Sequence, residues 1–298
     1  MTQRIEYRGW PGCVHLTNGS ADVVVSTQFG PRILHYGPSL DVNLFGEQYD
    51  AARGLPSDAW KLVGGHRFWV APENLDITYV PDNDPVEIVF DQPGTLQVRS
   101  VDAKTGIEKQ LDLSLAPRGT EVIVMHTLIN RGVWPIRVAP WALTVMPLGG
   151  RAVMPLPERR PHSESLDPAG GLVCWLYTDL GDPRWSFAPT GVMLDGVPGQ
   201  PPQKIGTLVE AGWLAYWQPA ATFIKQFDVV LGADYPDFGC SAELFTNEYF
   251  LEVETLGPLV WLEPGESIDH VETWQFRTDL PRPDRATMAE WQDSIGGI

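Results

Sequence analysis

Short runs in which apolar and polar side chains alternate recur along this 298-residue chain, with Pro and Gly between them. A period of two puts the apolar set on one face of a pleated strand, whereas a helix needs apolar residues every three or four positions. Asp22-Val-Val-Val-Ser26, Val86-Glu-Ile-Val-Phe90, Thr95-Leu-Gln-Val-Arg99 and Glu121–Asn130 all carry the strand pattern. In Ile107–Leu115 the apolar residues Ile107, Leu111, Leu113 and Leu115 mark one face of a half-buried strand. Further strands are predicted over Ile136–Met146, Leu172–Tyr177, Trp213–Trp217, Thr222–Leu231, Glu248–Glu254 and Ser267–Phe276. The 27 prolines and 29 glycines break any long helical pattern. One helix is predicted, Arg285–Asp293, entered through Pro281-Arg-Pro-Asp284 with Asp284 as its N-cap. The chain shows no repeat and no low-complexity linker, and Met154–Pro168 reads as a Pro-rich loop. The expectation is one all-β domain over residues 1–298, a sandwich from about 20 to 277 with a short C-terminal helix over about 284–294.

Charge narrows the partners. With 38 Asp and Glu against 21 Lys and Arg, the net charge of −17 disfavours nucleic acid and anionic membrane surfaces. No stretch approaches the roughly 20 apolar residues of a membrane span. The N-terminus Met1-Thr-Gln-Arg-Ile lacks the apolar core of a signal peptide, so a cytoplasmic location is expected. Three scattered cysteines, Cys13, Cys174 and Cys240, form neither a disulfide framework nor a zinc site, and the sequon Asn18-Gly-Ser20 then carries no meaning. Phosphate-binding loops, dinucleotide fingerprints, nucleophile elbows and His-Glu-x-x-His are absent, which removes support for nucleotide chemistry, serine hydrolysis and zinc hydrolysis. No cofactor is implied, and the oligomeric state is open.

Four clusters carry candidate chemistry. On the strand Glu248–Glu254, the residues Glu248, Phe250, Glu252 and Glu254 share one face, so two carboxylates project beside an aromatic ring. Rings stack on sugar C–H groups while a carboxylate accepts a hydroxyl proton; the alternative is an exposed edge-strand face. Next is Gly64-Gly-His-Arg-Phe-Trp-Val-Ala-Pro-Glu73, where paired glycines allow close backbone approach to a ligand. Alternation there separates Arg67 and Trp69 from His66, so one of His66 and Arg67 faces a site unless a bulge intervenes, and His66 is otherwise a hydrogen-bonded core residue. Lys225, flanked by Phe223 and Phe227, is either a sugar-hydroxyl donor or an exposed edge charge, and Asp234 with Asp237 either hold a cation such as calcium or cap a turn. Finally, Arg151, Arg159 and Arg160 around the Pro-rich loop form a sugar-phosphate site or a local ion-pair patch.

Several motifs in order resemble the galactose mutarotase-like (aldose 1-epimerase-like) superfamily, and within it the DUF4380 branch. They are Phe29-Gly-Pro-Arg-Ile33, Asn43-Leu-Phe-Gly46, Gly64–Glu73, His126-Thr-Leu-Ile-Asn130, Ala139-Pro-Trp-Ala-Leu143, Phe223–Phe227, Tyr235-Pro-Asp237, Glu252–Pro258 and Leu262-Glu-Pro-Gly-Glu266. The resemblance implies a β-supersandwich with a site for a hexose-like ring. It places Glu254 at the late Glu that takes the anomeric proton. The family's acid, a His in a His-Pro-Tyr-Phe-like motif, has no counterpart in Ala139-Pro-Trp-Ala142, and the early family His precedes a Gly-Gly pair that His66 follows. The expected ligand is a small-molecule carbohydrate. The expected activity is an aldose mutarotase or epimerase with Glu254 as base and His66 as acid, and with Arg67, Trp69, Glu73, Trp141, Lys225, Asp237 and Glu252 contacting substrate. The alternative is a sugar-binding domain that has lost the acid.

Overall fold

The computed structural model describes residues 2–48 and 59–295. Two antiparallel sheets account for nearly all of its regular structure. The first runs, in spatial order, β1 (Thr2–Tyr7), β2 (Trp10–Thr17), β3 (Asp22–Val25), β4 (Arg32–Gly37), β5 (His66–Ala71), β10 (Ile136–Met146), β19 (Leu251–Leu256), β18 (Ala242–Thr246), β15 (Gln203–Thr207) and β12 (Val173–Cys174), with β20 (Val260–Leu262) beside β10. The second runs β13 (Trp185–Ala188), β14 (Gly191–Asp195), β11 (Arg151–Pro155), β16 (Trp213–Trp217), β17 (Thr222–Phe227), β21 (Ser267–Arg277), β9 (Val122–Asn130), β8 (Ile107–Leu115), β7 (Thr95–Val101) and β6 (Glu87–Gln92). No described helix is long and apolar enough to cross a membrane.

The sheets face each other across one apolar core, and the aromatic residues at its centre come from both. Tyr36 of β4 meets Phe223 of β17 edge-on at 5.9 Å between centroids, and Phe45 meets Trp274 of β21 at 5.4 Å. All four rings are buried to 2% exposure or less. Such edge-to-face pairs add to the area they bury.

Some expected boundaries move. β1 and β2 extend the first sheet back to Thr2, ahead of the alternation that begins near residue 20. The strand expected over Leu172–Tyr177 contracts to Val173–Cys174, and β17 ends at Phe227. Glu248 falls outside β19, because Asn247 Oδ1 accepts the amides of Tyr249 and Phe250 at 2.8 and 3.0 Å and curls the chain into a turn. The helix α1 spans Met288–Ile295; Asp284 Oδ1 accepts the amides of Ala286 and Thr287 and so caps the turn ahead of it.

The Gly64–Gly65 pair launches β5. Both residues are left-handed (φ 88° and 68°), and a Cβ on either would lie 2.2 Å from a carbonyl oxygen, of Gly46 or of Ile33. The close approach these glycines permit is therefore to the protein's own backbone, where the expectation was a ligand.

Phe223→Ala empties a space walled by Tyr36, Phe45 and Trp274. It is expected to lower unfolding stability by about 3–5 kcal/mol in urea titration, and Phe223→Leu by less.

Candidate functional site

Five neighbouring strands of the first sheet, β5, β10, β19, β18 and β15, build one wall of a cavity of about 390 Å³. Their registers align alternate residues in a band: Trp69 opposite Trp141, Arg67 opposite Leu143, Leu143 opposite Glu254, Glu254 opposite Glu243, Glu252 opposite Phe245, and Phe245 opposite Lys204. Opposed residues of paired strands point to the same side, so the whole band faces away from the inter-sheet core. Trp60, Tyr79, Tyr177 and Phe250 close the rim from loops. The volume lies within the range of small-molecule sites.

Two buried charge groups hold this wall. Lys204 Nζ lies 2.6 Å from Glu243 and 2.9 Å from Glu254, with all three side chains at 6% exposure or less. It also sits over the rings of Trp141 and Trp175 at 4.9 and 4.7 Å. Arg67 donates to Glu252 at 2.5 Å and stacks on Trp69 with its guanidinium carbon 4.2 Å from the ring centroid. Burial opposes the charge on Lys204, but Glu243 and Glu254 outweigh it and hold the ammonium well above its ordinary pKa. Burial pushes the Glu243 carboxyl well above the usual range against the pull of Lys204, with Glu254 and Asp237 reinforcing it. The Glu252 carboxyl is likewise raised by burial, which outweighs Arg67. Opposite Glu243 stands Gly206, where a Cβ would come within 2.6 Å of Cys240 Sγ and 3.0 Å of Glu243 Cγ.

Glu254 is oriented from one side only. Trp141 Nε1 donates to its Oε2 at 3.0 Å and Lys204 Nζ to the same oxygen at 2.9 Å. Among the described residues, Oε1 receives no hydrogen bond, so one lone-pair face of the carboxylate is left to a ligand in the cavity.

Of the residues singled out in the sequence, Arg67, Trp69, Glu73, Trp141, Glu252 and Glu254 line this cavity together. Glu252 and Glu254 lie on a central strand with 4% and 1% exposure, which overturns the edge-strand alternative. Asp237 sits outside it, in the turn Pro236–Gly239 with left-handed φ of 49°, and burial raises its carboxyl. Asp234 is paired with Arg137 at 2.8 Å rather than sharing a cation with Asp237. Arg151 makes a two-armed bond to Asp195 in the second sheet, the ion-pair outcome of the two left open for it. Arg159 and Arg160 line a separate groove with Glu158, Asp167 and Glu210.

His66 and Lys225 do not line the cavity. Parity sends His66, one residue before Arg67, into the inter-sheet space, and Lys225 reaches the same space from β17 at 0% exposure. His126 Nδ1 meets the His270 carbonyl at 2.9 Å and must donate to it, so in a neutral ring its Nε2 accepts. His66 Nε2 then donates across 2.7 Å to His126 Nε2, and Thr144 donates to His66 Nδ1 at 2.9 Å. Lys225 pairs with Glu272 at 2.9 Å and donates to the carbonyls of Ala142 and Val253 at 3.3 Å. His66, His126 and Glu272 have the proximity of a metal cluster, but the Lys225 ammonium bonded to Glu272 opposes a cation there. Burial makes these rings hard to protonate and brings His126 and His270 to about 3.

Sequence reasoning missed Lys204, Glu243, Trp60, Tyr79 and Tyr177. The signal for Lys204 and Glu243 was present: each is the single charged residue of a short strand, Gln203-Lys-Ile-Gly-Thr207 and Ala242-Glu-Leu-Phe-Thr246. The tyrosines stand in loops whose course alternation does not fix.

No protein-family model and no curated protein sequence matches the chain. Solved structures do match. The Slr1438 protein from Synechocystis superposes with a TM-score of 0.57 at 13% identity, over 90% of this chain and 96% of that one. A galactose mutarotase-like protein from Lactobacillus casei gives 0.56 at 10% identity over 89% and 100%. A galactose mutarotase related enzyme from Lactobacillus acidophilus gives 0.56 at 9% over 89% and 97%. The fold is the galactose mutarotase-like sandwich. At these identities the likeness is one of architecture, and the cavity residues carry the functional argument.

The buried histidines set a pH dependence. Unfolded, they bind protons near pH 6.5; folded, they refuse them until about pH 3, so the unfolded chain holds more protons in between. Their contribution is complete above about pH 6.5 and falls as the pH drops, by up to about 1.4 kcal/mol per unit for each ring. Urea midpoints measured from pH 7 down to 4 are expected to decline, and His126→Gln to flatten the slope.

Proposed function

We propose that the chain binds a hexose-like sugar in the cavity of the first sheet and interconverts its anomers, an aldose 1-epimerase-type isomerisation. The observation that carries this reading is the half-clamped Glu254: Trp141 and Lys204 fix Oε2, while Oε1 is left to the cavity. A carboxylate fixed through one oxygen, with one acceptor to spare, suits removal of the proton from O1 of a bound ring. The aromatic lining supplies faces for the sugar C–H groups.

Glu252 supports the other half of the reaction. It lies two residues from Glu254 on the same strand face, about 6.5–7 Å away along the backbone, and burial raises its carboxyl. As Glu254 takes the O1 proton, the O1–H electron pair becomes the C1=O1 π bond. The C1–O5 bond breaks, and O5 takes the proton of Glu252. Rotation about C1–C2 and the reverse steps give the other anomer and restore both carboxyls. Arg67, bonded to Glu252, positions that group. His66, bonded to His126 across the sheet, takes no part.

A second reading, binding without turnover, is favoured by one observation: among the described residues no histidine lines the cavity. The two are separated by measuring binding and rate together. Polarimetry of freshly dissolved α-glucose and α-galactose is expected to show accelerated equilibration by the wild-type protein and a loss of about 10²-fold or more in Glu254→Gln. Calorimetric binding with no acceleration would leave the binding-only reading standing.

A further inference from the structure

We infer that the ring taken by this cavity carries an ammonium group, so that the substrate class is the amino sugars. This rests on the carbohydrate reading above and sharpens it. Three carboxyl groups line the cavity (Glu73, Glu252 and Glu254), and of these Glu252 holds the proton that the reaction above uses; two cations, Arg67 and Lys204, lie among them, and among the described residues no other Lys or Arg lines it. Both cations already have acceptors inside the protein, Arg67 in Glu252 at 2.5 Å and Lys204 in Glu243 and Glu254 at 2.6 and 2.9 Å. A phosphate or carboxylate on the ligand would have to draw one of them away from a buried partner and face the remaining acids. Carboxylate oxygens are left over. Glu73 at the rim receives the hydroxyl of Tyr79, a neutral donor, and Oε1 of Glu254 receives nothing among the described residues.

The aromatic lining points the same way. Ring faces attract cations, and this cavity already shows it with Arg67 over Trp69 and Lys204 over Trp141. Tyr79, Tyr177, Phe245 and Phe250 offer further rings beside the carboxylates. An ammonium has three donors and no acceptor, which complements a wall of carboxylate oxygens and π faces.

Quenching of the cavity tryptophans on titration with D-glucosamine, D-glucose, N-acetyl-D-glucosamine and D-glucose 6-phosphate tests the inference. Glucosamine is expected to bind about tenfold or more tightly than glucose or the N-acetylated sugar, with glucose 6-phosphate weakest. The preference is expected to shrink with added salt and in Glu73→Gln, a rim substitution outside the sheet. Equal or tighter binding of glucose, or tightest binding of the phosphate, would overturn the amino-sugar inference and leave the carbohydrate reading intact. Failure of all four sugars to bind would overturn both.

Discussion

The ammonium of Lys204, enclosed by Glu243 and Glu254, is the contact on which the cavity depends. Removing three charged groups from water is costly, and short, well-placed contacts are what offset it. Here the contacts come from three strands side by side, β15, β18 and β19, so a one-residue slip of any of them would strand a charge on the wrong face. The same arrangement decides what Glu254 can do. Its Oε2 is bound within the protein, and its remaining oxygen receives no hydrogen bond among the described residues.

Behind this wall lies a second polar assembly with a different character. His66, Thr144, His126, Lys225 and Glu272 fill part of the inter-sheet space, and each hydrogen bond can be assigned a direction. Lys225 donates to the carbonyls of Ala142 and Val253, which precede Leu143 and Glu254, both of them cavity residues. The β10 and β19 backbones are therefore held from the core side while their outward side chains line the cavity. A satisfied buried network of this kind rigidifies what it touches.

Much of this was legible in the sequence because strand alternation is a strict rule. It placed Glu252 and Glu254 on one face, and it separated Arg67 and Trp69 from His66, as the structure has them. What alternation leaves open is which face is the core. For β5 and β17 the polar residues His66 and Lys225 face inward, buried by partners more than 40 residues away in sequence. Lys204 and Glu243 were missed for the complementary reason: a single charge in a short strand becomes a signal only when its partner across the sheet is known. The turn Asn247–Phe250 was missed because local side-chain bonds to the backbone there outcompete the ladder.

Not every wall of the cavity belongs to the sheets. Trp175 and Tyr177 lie just past the two-residue strand β12, on the connection leading to β13, yet one packs on Lys204 and the other borders the opening. Loops tolerate substitution and changes of length that a paired strand does not. A change of length or sequence in that connection alone therefore reshapes the cavity's opening while the charged floor stays as it is.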